Sequence, residues 1–119
     1  MTIGLSHLRV ALSDDFYIGP GRADLMELIE ETGSISEAAK RMGMSYKRAW
    51  GLVQALNGGW GAPLVETARG GAAQGGAVLT DDGREVLSRY RQMQQKTRDS
   101  IAADVAELGR RLPVISGRK

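Results

Sequence analysis

Lys40, Arg41, Lys47 and Arg48 fall in a stretch, Ala38 to Val65, that contains no aspartate or glutamate. Acids gather on either side, among them Asp24, Glu27, Glu30, Glu31 and Glu37 before it and Asp81, Asp82 and Glu85 after it. The net charge of the 119-residue chain is only +2, so the distribution of charge carries the signal. A local basic face on a balanced protein suits a polyanion. A solvated helix surface would carry the same residues. Among the cations stand Ser45 and Gln54, types that bond phosphate and adenine edges, while Lys and Arg meet phosphate or guanine.

Other chemistries lack their parts. There is no cysteine, hence no disulfide framework and no thiolate metal site. His7 is the single histidine, which leaves no His pair for a metal and excludes nearly all His-based triads; on a strand it reads as structural. Asp14-Asp15 and Asp81-Asp82 read as turn and helix-cap acids. Arg69 to Gly76 holds four glycines and an arginine but not the Gly-Lys-Ser/Thr ending of a phosphate-binding P-loop. No catalytic residue, metal or cofactor is expected. The N-terminal residues lack the apolar run of a signal peptide, and no stretch approaches the ~20 apolar residues of a membrane span. The expected setting is the cytoplasm, without a membrane partner.

The basic residues need elements to present them. Ala39 is a small residue where two helices must approach closely, and Gly43, four residues on, tolerates the positive φ of a tight turn. Ala38, Met42, Met44, Ala49 and Leu52 stand at the apolar offsets around that turn, with Val53 and Leu56 extending the buried side. Together they predict a helix-turn-helix over residues 35–56. Ser34 or Ser36 caps its first helix, and Ser45 is the N-cap of its second. That second helix is predicted to end near Leu56, stopped by Asn57-Gly58-Gly59.

At 100° per residue, Ala49, Leu52, Val53 and Leu56 define the inner side of this helix. Lys47, Gly51 and Gln54 lie opposite, with Arg48 and Trp50 on the flanks and Ser45 and Tyr46 at the N-terminus. In helix-turn-helix proteins this end enters the major groove of DNA. Gly51 costs about 1 kcal/mol relative to alanine, which makes sense if it lets the helix approach DNA closely; simple tolerance on a surface is the alternative. Trp50 either contacts DNA or packs against Trp60 and the hairpin. Tyr46 is divided between DNA and the core.

Around this motif the pattern predicts a short strand over His7–Leu12, a second extended piece at Phe16–Ile18, and a helix from about Arg22 to Thr32 capped by Gly33. Two apolar runs flanking the glycine-rich loop read as a β-hairpin, starting at Trp60, with a loose tip. The tip is either a wing, with Arg69 and backbone N–H groups meeting phosphates or a minor groove, or a plain solvated turn. From Thr80 as N-cap, Val86, Tyr90, Met93, Thr97, Ile101, Val105, Leu108 and Leu112 recur every three or four residues. That predicts some 25–30 residues of helix, roughly 40 Å long, too long for a domain about 13–14 Å in radius of gyration. The helix should protrude or pack on a partner. The chain divides into residues 1–80, a DNA-binding unit with an N-terminal strand; 81–112, the long helix; and 113–119, a tail. The fold class is mainly α with a small β-hairpin.

Gly33-Ser-Ile-Ser-Glu-Ala-Ala39, Met44-Ser-Tyr-Lys-Arg-Ala-Trp50 and Gly75-Gly-Ala-Val-Leu-Thr80 resemble, in order and spacing, the N-terminal DNA-binding domain of ModE-type molybdate-responsive regulators, and more distantly the LysR-type winged helix. The resemblance covers about Asp15 to Thr97. It implies a winged helix-turn-helix, a homodimer joined through terminal helices and strands, and a two-fold-related operator. It implies DNA recognition by Ser45, Tyr46, Lys47 and Arg48, and a wing around Gly75 and Gly76. Ser36, Trp50, Gly51, Gln54 and Arg69 complete the candidate interface. The family's molybdate-binding domains have no counterpart in these residues, so a stand-alone DNA-binding domain is expected. The alternative is a protein-interaction module that pairs with another regulator and does not itself bind DNA.

Overall fold

The computed structural model describes residues 3–67 and 76–113. Arg69 and Gly75 of the candidate wing lie outside the described residues. The elements run β1 (Val10–Ser13), β2 (Phe16–Ile18), α1 (Pro20–Thr32), α2 (Ile35–Met42), α3 (Tyr46–Trp60), β3 (Val65–Thr67), β4 (Ala77–Leu79) and α4 (Asp81–Arg111). Strands β1 and β2 pair antiparallel, as do β3 and β4. The first strand is shorter than predicted. It starts at Val10 rather than His7, and its register slips between Ala11 and Ser13.

Helix ends follow local chemistry. Pro20 opens α1, its fixed φ suiting the first turn. Gly33 closes it in the left-handed region, donating to the Ile29 carbonyl at 2.8 Å. Ser34, not Ser36, caps α2: its hydroxyl oxygen accepts from the Glu37 N–H at 3.0 Å. Ser45 caps α3, accepting from the Arg48 N–H at 3.1 Å.

Helix α3 does not stop at Asn57-Gly58-Gly59. It continues to Trp60 and ends at Gly61, with φ 91°. Tertiary contacts outweigh the weak local propensity. The Asn57 side chain accepts from the N–H groups of Leu64 and Val65 at 2.8 and 3.1 Å and donates to the Val65 carbonyl at 3.0 Å. Those bonds tie the last turn of α3 to β3. Gly59 sits so close to β2 that an added Cβ would stand 2.5 Å from the Asp15 carbonyl oxygen. Trp60 therefore belongs to α3, not to the hairpin. Its ring meets Phe16 edge-on at 5.5 Å, and its Nε1 donates to Asp82 at 3.1 Å.

One core joins all of this. Leu25, Met26 and Ile29 of α1, Ala38 and Ala39 of α2, Val53 and Leu56 of α3, and Val65 and Leu79 of the hairpin are buried together. Only the first part of α4 enters it, through Gly83, Val86 and Tyr90. The Tyr90 hydroxyl donates to the Leu8 carbonyl at 2.6 Å, tying α4 to the chain before β1. Arg91, next to it, reaches Asp24 at 2.8 Å and Glu27 on α1. Beyond this region α4 leaves the body of the domain, and Leu108 and Leu112 are exposed. The molecule extends 61 Å along its longest axis, with a radius of gyration of 17.9 Å, against about 13–14 Å for a compact chain of this length.

Burial holds the Tyr90 hydroxyl above its ordinary pKa of 10.0, because the phenolate is poorly solvated there. A pKa raised by folding adds stability at pH values below the unfolded value and loses it as pH climbs through the folded one. Urea unfolding should therefore show stability falling above pH 10. Tyr90→Phe should flatten that alkaline limb while losing about 0.5–1.5 kcal/mol at neutral pH with the Leu8 hydrogen bond. An unchanged alkaline limb would refute this account of Tyr90.

Candidate nucleic-acid interface

The turn between α2 and α3 sets the aim of the basic residues. Gly43 adopts φ 70°, and its N–H reaches the Ala39 and Lys40 carbonyls. Met44 donates to the Ala39 carbonyl at 3.0 Å. Ala39 is buried, leaving room for α3 to cross close to α2. Ala49, Val53 and Leu56 then face inward, and Ser45, Tyr46, Lys47, Arg48, Trp50, Gly51 and Gln54 are all exposed. The predicted outer face of the helix is thus presented as one surface.

The acid-free stretch of sequence divides in space. Lys40 pairs with Glu37 at 3.9 Å, and Arg41 with Glu31 and Glu37, each at 3.8 Å. These carboxylates come from outside the stretch and offset the charge of α2. Lys47 and Arg48 take part in none of the ion pairs among the described residues. Within this stretch, the cations outside any ion pair among the described residues are thus the two in the first turn of α3.

The aromatic alternatives resolve toward the surface. Tyr46 and Trp50 are one helical turn apart and stack on each other, with ring centres 6.4 Å apart and planes 9° from parallel. They are 54% and 36% exposed. Trp50 does not pack on Trp60, whose aromatic partner is Phe16. A stacked pair of exposed rings thus lies beside Lys47.

Ser36 is exposed in the first turn of α2. Gly76, at the base of the wing, forms a β-bridge with Ser34, and Ala77 donates to the Gly33 carbonyl at 2.9 Å. The hairpin is bolted to the junction of α1 and α2. Two cations to which the sequence pattern gives no role, Arg9 and Arg22, border the same cleft as Arg48. Nothing in their spacing connects them to α3; only the packing of the N-terminal hairpin does. Among the described residues no helix is long and apolar enough to cross a membrane.

Residues 23–84 match the family of bacterial regulatory helix-turn-helix proteins of the LysR type. The chain belongs to this family. Among its curated relatives are proteins that carry the name ModE. Over 91 residues, 76% of this chain and 31% of the relative, it is 49% identical to the molybdenum-pterin-binding protein MopB of Rhodobacter capsulatus. It is 39% identical to the transcriptional dual regulator ModE of Escherichia coli over 102 residues, 83% of this chain and 39% of the relative. The chain therefore spans only 31% and 39% of the lengths of these two curated relatives. Its fold is that of the DNA-binding domain of CbnR, solved in complex with DNA, with a TM-score of 0.59 at 24% identity over 74% of this chain and 95% of that one.

Gly51 has nothing within 4 Å of where a Cβ would lie. Gly51→Ala should consequently raise stability by about 0.5–1 kcal/mol through reduced backbone entropy of the unfolded chain. A urea titration checks this, and a loss of stability would mean that the site is not open.

Proposed function

We propose that this domain is the DNA-binding part of a transcriptional regulator and that α3 reads the major groove of duplex DNA. The observation that carries the reading is the first turn of α3: Lys47 and Arg48 exposed without carboxylate partners among the described residues, beside Ser45 and the Tyr46–Trp50 stack. Lys47 and Arg48 meet phosphates or guanine, Gln54 an adenine edge, and Ser45 and Ser36 phosphates. Gly51 leaves the middle of the helix bare, so that it lies close to the bases. The hairpin, with Arg69, Gly75 and Gly76, is the wing alongside. The relatives that carry the name of ModE support this assignment, as does the structural neighbour bound to DNA. A regulator of this type acts on the chromosome, in the cytoplasm.

Salt dependence tests the interface. Duplex affinity measured across a salt series should fall steeply, and Lys47→Ala/Arg48→Ala should reduce the log–log slope by roughly 0.9 for each phosphate that the protein no longer neutralises. Gly51→Leu should weaken binding while the fold persists. Affinity untouched by the Lys47/Arg48 change would remove α3 from the interface.

The distal half of α4 supports a second element of the reading, a homodimer that reads two half-sites. Leu108, near the end of a helix that has left its own core, and Leu112, just past that end, are 67% and 73% exposed, and a second copy would bury them. Half-sites one helical turn apart, roughly 34–36 Å, suit such a two-fold arrangement. Sedimentation equilibrium should give a dimer, and Leu108→Asp should raise its dissociation constant about tenfold or more, as removing one buried leucine forfeits roughly 1.5–3 kcal/mol. A monomer that captures no second copy would favour pairing with another regulator.

A further inference from the structure

We propose that the cleft between the N-terminal hairpin and α3 is a second phosphate-binding point, which holds a backbone phosphate of the duplex outside the groove that α3 enters. This rests on the DNA-binding reading above. The cleft has a volume of about 220 Å³; Arg9, Tyr17, Arg22 and Arg48 line it with His7 and the opening turn of α1, and Met44 and Leu52 give it an apolar side. No acidic residue lines it.

Its arginines are arranged, not scattered. The guanidinium carbons of Arg9 and Arg22 lie 3.7 and 3.8 Å from the centre of the Tyr17 ring. Two planar cations at van der Waals distance cannot share one face of a ring, so Tyr17 is sandwiched between them. Cation–π contact holds each guanidinium against the ring, and the guanidinium is the group whose fork suits phosphate. Arg22 is anchored further by donating from Nη1 to the Tyr17 carbonyl at 3.1 Å. Its Nε is buried without a hydrogen-bond partner among the described residues. Neither Arg9, Arg22 nor Arg48 takes part in an ion pair there.

Three cations that border one cleft and take part in no ion pair among the described residues make its open side attractive to an anion. The backbone of α1 favours the same ligand: its N-cap, Gly19, offers no side-chain cap, and its first turn holds no acid. An added Cβ on Gly21 would meet nothing within 4 Å, so the approach is open. Arg48 ties the cleft to α3. A phosphate held here lies beside the segment that α3 reads and sets the register of the helix in its groove.

The test is anisotropy of a labelled mixed-sequence duplex from about 50 to 200 mM salt, where phosphate contacts set the slope. Wild type is compared with Arg9→Ala, Arg22→Gln and Lys47→Ala, with circular dichroism to check the fold. Arg9 is exposed, so its variant should fold even if Arg22→Gln does not. Arg9→Ala should lower the slope by about 0.9 on every sequence alike, as Lys47→Ala does independently. A slope lowered by Lys47→Ala and kept in both arginine variants overturns the cleft and leaves the α3 reading standing. Failure of wild type to bind any duplex overturns both. Inorganic phosphate is titrated in parallel against the arginine Nε–H resonances. Saturable binding abolished in Arg9→Ala, with the duplex slope unchanged, would mean that the cleft takes free phosphate and would overturn its assignment to the DNA backbone.

Discussion

The turn at Gly43 is the constraint on which the recognition surface depends. Its left-handed conformation lets the chain reverse within a few residues, and the Ala39 carbonyl accepts across it. Ala39 lacks the side chain that would hold α3 away. Once that crossing is set, the inner residues of α3 have only one direction in which to bury, and Lys47, Arg48, Gly51 and Gln54 must face out. Position and charge on this surface are consequences of packing behind it.

The remaining elements keep α3 from swinging about that turn. Asn57 clamps its C-terminal end to β3 through both side-chain atoms that can bond. Gly59 lets it lie against β2, and Trp60 spans from Phe16 to Asp82 on α4. The hairpin is fastened in turn to the junction of α1 and α2 through Gly33, Ser34, Gly76 and Ala77. A rigid base for the wing and a helix fixed at both ends would present their contacts to DNA already organised, so less ordering is needed at the moment of binding.

Charge is distributed to match. The exposed ion pairs along α2 and α4 contribute little to stability one at a time. Those on α2 offset Lys40 and Arg41, so the basic charge of this segment rises toward the first turn of α3, where Lys47 and Arg48 take part in no ion pair among the described residues. Such a gradient orients the domain on a polyanion before any side chain touches it.

Local signals determined most of the elements by themselves. Ser34, Ser45 and Thr80 are residues whose side chains cap the N–H groups a helix leaves unpaired. Gly33 and Gly43 tolerate a positive φ, and the spacing of Ala49, Val53 and Leu56 separates an inner from an outer side. These properties need only neighbours in the chain, so the helix-turn-helix and its exposed cations were legible from the sequence. Three features were not. Residues 57–60 stay helical because Asn57 and Gly59 find partners in β3 and β2, which no local window contains. Arg41 is paired not only with Glu37 one turn back on its own helix but also with Glu31, which the packing of α1 on α2 brings to it. Arg9, Arg22 and Arg48 lie far apart in sequence and border one cleft only because β2 and α1 pack beside α3. The basic segment at α3 was thus legible as a feature of the chain, while its true extent as a charged surface was decided by the fold.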